Sequence, residues 1–183
     1  ERAKNRKCDI LSLVSATPDR NIYMEFTSPY VNVPVVMATA MDKFFIADIS
    51  DVKDQRLGVV KGYAIAEKLR KSFPDINIVD VDSITDGLTR VENGELYGYI
   101  DNLMVIANSI QKDFTGVLKV SSRLEESVNL AVGIRKDEPL LTQIFEKLVT
   151  QLGEEDLQPI YNRWVAVKQD VSFDYQLFWK LLA

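Results

Sequence analysis

RLGVVKGYAIAEKLRKSF (Arg56–Phe73) runs directly into PDINIVDVDSITDGLTRVENGELYGYID (Pro74–Asp101), and the alternation across this pair of segments decides the fold. RLGVV is a short apolar run of strand length. In KGYAIAEKLRKSF the residues Ala64, Ala66, Leu69 and Phe73 keep a helical stripe, which Pro74 ends. INIVDV reads as a second strand, SITDGLTRVENG as a helix closed by Gly94, and LYGYID as a third strand. Strand–helix–strand–helix–strand over residues 56–101 is the pattern of a parallel sheet with helices on its faces.

Outward from this block the signals are shorter. Cys8–Val14 suits a buried strand, and Asn32–Thr39 (NVPVVMAT) is another, with Pro34 placing it at an edge or a crossing. ISDVKDQ, from Ile49, reads as a turn. Downstream, Asn102–Gln111 continues as a helix, LKVSS and VNLAVGIRK read as two separate strands, and Leu140–Leu152 and Asp156–Trp164 as helices. ERAKNRK reads as the polar last turns of a helix, while FDYQLFWKLLA grows steadily apolar and stops. Both ends read as cut from a longer chain.

Composition excludes several functions. The 183 residues are 46% hydrophobic, enough for a sizeable core. Net charge is −5 and no Lys/Arg cluster is interleaved with aromatics, which argues against a nucleic-acid groove. There is no histidine and one cysteine, Cys8. That removes most zinc sites, Ser-His-Asp and Cys-His catalysis, and a disulfide within the chain. Cys8 itself reads as a small core residue, or else as a reactive thiol. No signal peptide opens the sequence, no run of 18 apolar residues spans a membrane, and nothing calls for a metal or cofactor.

Two polar features need a reason. SATPDR (Ser15–Arg20) places a hydroxyl, a Thr-Pro pair and an arginine in a turn between apolar runs. Arg20 reads either as an exposed turn residue paired with Asp19 or Glu25, or as a carboxylate grip. Asp101 ends a strand at the sheet edge where open α/β sheets bind ligands, and reads either as the N-cap of the next helix or as a binding residue. Gly62 lies between a strand and a helix, but without Gly-Lys-Ser/Thr it makes no nucleotide phosphate loop. Free N–H groups at that helix start can still meet a polar ligand.

Taken together and in this order, the segments resemble a known family. CDILSLVSATPDRNIYMEFTSPYV is similar to the Asp…Thr-Pro-x-Arg…Phe-Thr-x-Pro-Tyr stretch of type II periplasmic solute-binding proteins, amino-acid-binding branch. RLGVVKGYAIAEKL, GLTRVENGELYGYIDN, VGIRKDEPLL and IYNRWV resemble the later elements of the same family, so that the likeness runs from about Lys7 to Val165. VKGYAIAEKL, YIDNLMVIANSIQK and VSFDYQLFWKLL most resemble the Venus-flytrap sensor domains of bacterial membrane receptors, commonly histidine kinases and sometimes diguanylate cyclases.

The resemblance implies a two-lobed α/β fold, each lobe with a mainly parallel sheet flanked by helices. Residues 1–35 and 129–165 would form lobe one, 36–128 lobe two, and 166–183 a connection toward a membrane segment. Asp174–Ala183 would start that connection, with Tyr175, Phe178 and Trp179 near the lipid interface; an amphipathic helix packed on the body is the other reading. Family members begin with a strand–helix–strand unit that this chain lacks, which leaves lobe one incomplete. Either the piece is truncated or another chain supplies the surface, and an unpaired edge favours a homodimer or swapping.

For chemistry, the resemblance implies that Arg20 grips the α-carboxylate of an amino acid. Ser15 would add a hydroxyl and the Thr17 region backbone N–H donors. Asp101 would take the α-ammonium from the other lobe, and Lys61, Gly62, Tyr63 and Ala64 would line the site. Many relatives carry a threonine near Ala64, where this chain offers no hydroxyl. The expected function is ligand sensing on the periplasmic or outer side of a bacterial inner membrane. The alternatives are an importer's solute-binding subunit, a domain that signals without ligand, and an enzyme, since some members of this fold are dehydratases.

Overall fold

The computed structural model describes residues 2–165. Seven strands and five helices follow one another: β1 (Ile10–Val14), β2 (Met24–Phe26), β3 (Val31–Ala40), β4 (Leu57–Val60), α1 (Ala64–Ser72), β5 (Ile78–Val81), α2 (Ile84–Glu92), β6 (Gly98–Asn102), α3 (Leu103–Asp113), β7 (Leu118–Arg135), α4 (Pro139–Val149) and α5 (Glu154–Val165). The strands join in the order β1-β7-β3-β6-β4-β5, with β2 also on β7.

The block over residues 56–101 forms as its pattern predicts. β4 pairs in parallel with both β5 and β6. β3 lies between β6 and β7 and is buried on both faces, so alternation along it feeds two cores. Val35 and Met37 pack with Leu57, Val59 and the α1 residues Ile65 and Leu69. Val36 and Ala38 face the other way, with Leu88 and Val91 of α2 and Ile106 of α3. Helices therefore cover both faces of the β3–β6–β4 part of the sheet.

Outside β4–β6 the sheet departs from the mainly parallel expectation. Every pair made by β3 with β6 and β7, and by β7 with β1 and β2, is antiparallel. A chain that crosses from one half of the sheet to the other and returns must run in opposite directions, and β3 and β7 are those two crossings. Pro34 sits at a crossing and not at an edge. The register of β3 on β7 shifts between Pro34, opposite Ser127, and Val36, opposite Arg123, where a residue without an N–H interrupts the ladder.

LKVSS and VNLAVGIRK are one strand, not two. β7 runs unbroken for 18 residues because the charged stretch between them keeps strand alternation: Arg123 and Glu125 point to solvent and Leu124 is buried. The segment 2–7 forms hydrogen-bonded turns, Lys7 N–H reaching the Arg2 carbonyl at 2.9 Å, with Arg6 left-handed at φ 55°. ISDVKDQ contains a short 3-10 turn, Ile49–Val52. β1 ends the sheet with its outer edge unpaired among the described residues. α4 packs Leu141 and Phe145 onto Val132 and Ile134, while Leu140, Ile144 and Leu148 stay exposed. The expected connection over 166–183 lies outside the described residues.

Candidate functional site

The turn after β1 is tied down by its own backbone. Thr17, buried, accepts the Arg20 N–H on its hydroxyl at 3.3 Å, and its carbonyl takes the Asn21 N–H at 2.9 Å. This holds Arg20 at the start of a 3-10 turn, half-buried, with Nη1 donating to the Ser15 carbonyl at 2.8 Å. Ion pairing to Asp19 or Glu25 is not what positions it: among the described residues no carboxylate lies within salt-bridge distance of Arg20. The Ser15 hydroxyl donates across to the Asn129 carbonyl of β7 at 3.2 Å.

Asp101 is not the cap of α3. The cap is Asn102, whose side-chain oxygen accepts the Val105 N–H at 3.0 Å. Asp101 lies one residue earlier, inside β6, with none of its surface exposed. Its Oδ1 accepts Asn102 N–H at 2.7 Å and Asn102 Nδ2 at 3.0 Å, and its Oδ2 accepts the Tyr99 hydroxyl at 2.7 Å. Burial pushes the carboxyl above the ordinary aspartate range, and the bonds from Tyr99 and Asn102 oppose that rise. The Tyr99 phenol is driven far upward by burial and by the neighbouring carboxylate, and the Tyr63 phenol upward for the same two reasons.

Tyr99, which holds Asp101, is the residue that sequence reasoning did not single out. The period-2 alternation of β6 puts residues 99 and 101 on one face, and that was the available signal. The Tyr99 ring fills the core between β4 and α2, where Gly58 and Gly87 leave it room. A Cβ on Gly87 would come within 2.7 Å of its Cε2 and closer still to its Cδ2.

A cavity of about 660 Å³ joins these parts, a size usual for small-molecule sites. Ser15 and Arg20 line it from the β1 turn, Tyr63 and Ala64 from the start of α1, and Asp101 from the end of β6. No side chain caps the first turn of α1, so the helix presents its N-terminus beside Tyr63 and Ala64. The remaining walls come from β1, β3, α1, α2, α3, β7 and α5, with Tyr30, and are chiefly aliphatic. Three of the expected residues stand outside it. Thr17 lines a neighbouring cavity of about 380 Å³. Lys61 is exposed in the β4–α1 turn, its N–H held by the Val81 carbonyl at 3.1 Å. Gly62 is exposed, left-handed at φ 75°, and shapes the turn instead of touching the cavity. Among the described residues no cluster of His, Cys, Asp and Glu could hold a metal ion, and no helix is long and apolar enough to cross a membrane.

Comparison with known proteins fits this geometry. The family described as bacterial extracellular solute-binding proteins, family 3, matches residues 1–167. The chain is 20% identical over 164 residues to the virulence sensor protein BvgS of Bordetella pertussis, covering 89% of this chain and 13% of that protein. It is 24% identical over 166 residues to the ABC transporter arginine-binding protein 1 of Escherichia coli K12, covering 88% of this chain and 68% of that one. The crystal structure of the BvgS periplasmic VFT2 domain superposes with a TM-score of 0.81 at 20% identity, over 89% of this chain and 70% of that chain. A mutant ArgBP from T. maritima gives 0.74 at 18% identity, over 90% and 72%. The chain belongs to the family-3 solute-binding proteins and has the periplasmic-binding-protein fold.

Proposed function

We propose that this solute-binding domain senses a small solute, an α-amino acid, as part of a membrane signalling receptor, on the periplasmic or outer side of a bacterial inner membrane. The observation that carries the reading is that Arg20 and Asp101, opposite in charge and from opposite halves of the sheet, line one cavity. A guanidinium is a planar fork suited to a carboxylate, and a buried carboxylate suits an ammonium. Ser15 lies beside Arg20 for the carboxylate, and Tyr63 with the uncapped start of α1 closes over the ligand.

The division into two lobes, 1–35 with 129–165 and 36–128, is part of the proposal. Its support is the register break at Pro34–Val36 on β3, with the matching excess residues on β7. A zwitterion held by Arg20 on one side and Asp101 on the other favours the closed arrangement of two such lobes, and a ligand transmits a signal only through such differential contact. Likeness to a sensor protein supports the receptor context. A second reading, the binding subunit of an importer, is favoured by the likeness to the ABC transporter arginine-binding protein.

Thermal unfolding of the full chain against the twenty amino acids tests the proposal. A ligand present at 100 times its Kd stabilises by about 2.7 kcal/mol. The expected result is a rise in Tm with at least one amino acid that disappears in Arg20→Ala. A rise that survives in Arg20→Ala, or no rise with any amino acid, would overturn the carboxylate grip.

A further inference from the structure

Asp101 has none of its surface exposed, and a carboxylate buried in that way is costly unless its oxygens are hydrogen-bonded. Three donors meet it. Oδ1 accepts the Asn102 N–H at 2.7 Å and Asn102 Nδ2 at 3.0 Å, and Oδ2 accepts the Tyr99 hydroxyl at 2.7 Å. A carboxylate offers about four acceptor sites, shared between its two oxygens. Both sites of Oδ1 are therefore taken, and the one left for a ligand N–H is on Oδ2, the oxygen that Tyr99 holds.

These donors are fixed in place. The Asn102 N–H belongs to the backbone, and the Asn102 side chain is held because its own oxygen accepts the Val105 N–H at the start of α3. The Tyr99 ring is packed in the core beside Gly58 and Gly87. Tyr99 does not line the cavity, so it acts on a ligand only through Asp101. Of the titratable groups around Asp101, the Tyr99 and Tyr63 phenols feel its charge, and Arg20 shares the cavity with it. β3, β4, α2 and α3 meet this part of β6 through Val36, Gly58, Gly87 and Leu103, none of them titratable.

We infer that Tyr99 is a positioning residue for ammonium recognition: its hydroxyl fixes Oδ2 of Asp101 and favours the ionised carboxylate, and so sets how far into acid the domain holds an amino acid. This rests on the amino-acid reading above. A proton and a ligand ammonium compete for Asp101, so affinity falls as pH drops through the folded value of that carboxyl. Burial raises that value above 3.8, and the Tyr99 bond opposes the rise. Without the hydroxyl the fall begins at higher pH. Whatever other surface meets the ligand is common to wild type and Tyr99→Phe and cancels in the comparison.

Isothermal titration of the full chain with each of the twenty amino acids, from pH 4 to pH 8, tests this in both proteins. The midpoint of the acid fall in affinity should lie about one pH unit higher in Tyr99→Phe, the difference between a hydrogen bond to a charged and to a neutral acceptor. The same midpoint in both proteins, or a loss of affinity by one factor at every pH as packing damage would give, overturns the role of Tyr99 and leaves the amino-acid reading intact. No binding of any amino acid by wild type at any pH overturns that reading, and this role with it. A measurement without ligand checks the ionisation by itself. The carboxyl carbon NMR signal of Asp101, identified by its loss in Asp101→Asn, should titrate about one pH unit higher in Tyr99→Phe. A signal that titrates alike in both proteins overturns the role.

Discussion

Tyr99→Phe is the sharpest test of how the site is built. It removes one hydroxyl and keeps the ring, so the packing between Gly58 and Gly87 stays as it is. What goes is a 2.7 Å O–H···O bond to a carboxyl that is wholly buried. A hydrogen bond to a charged group is worth about 1.5–3 kcal/mol, and one between neutral groups about 0.5–1.5. The loss should therefore depend on whether Asp101 is ionised. Its folded pKa is raised above the ordinary value of 3.8 by burial. A group raised in this way contributes stability that is full below the unfolded value and is lost as pH climbs through the folded one. Tyr99 opposes that rise, so in Tyr99→Phe the folded value moves further up and the loss extends to higher pH. Thermal unfolding followed by circular dichroism from pH 4 to pH 8 should show a small deficit at the acid end. The deficit should grow to about 1.5–3 kcal/mol at the neutral end, or about 3–12 °C in Tm for a domain of this size. In an Asp101→Asn background the pH dependence of the deficit should vanish. A deficit of equal size at pH 4 and pH 8 would refute the claim that the hydroxyl serves an ionising carboxylate.

Two further substitutions probe the same core. Gly87→Ala drives a methyl into the buried Tyr99 ring and the Val81 side chain; overpacking of about 1–3 kcal/mol should exceed the helix gain of about 0.5–1 kcal/mol, so a denaturant midpoint at or above that of wild type would contradict the packing described. Met37→Ala empties a fully buried position where β3 is covered on both faces and should cost about 2–5 kcal/mol, read as a lower urea midpoint with an unchanged slope.

Much of this molecule is legible in its sequence. The period of RLGVVKGYAIAEKL and the stops at Pro74 and Gly94 determine β4, α1, β5, α2 and β6, because strand and helix periodicity are local properties that burial on both faces only reinforces. SATPDR is legible as a feature needing a reason, since an arginine in a turn between two apolar runs is not there for packing. Tertiary structure alone decided the rest. Whether β7 is one strand or two depends on which strands cross beside it, and its charged middle reads locally as a break. Asp101 and Asn102 are both good caps by sequence. The choice falls to Asn102 because Asp101 is turned inward to Tyr99, a contact set by where Gly58 and Gly87 leave room for a ring. Lys61 and Gly62 stand a residue or two from the cavity lining in sequence, yet the left-handed turn at Gly62 keeps both in solvent. Sequence named the charges; the fold determined which of them line one cavity, because burial and proximity are relations between segments far apart in the chain.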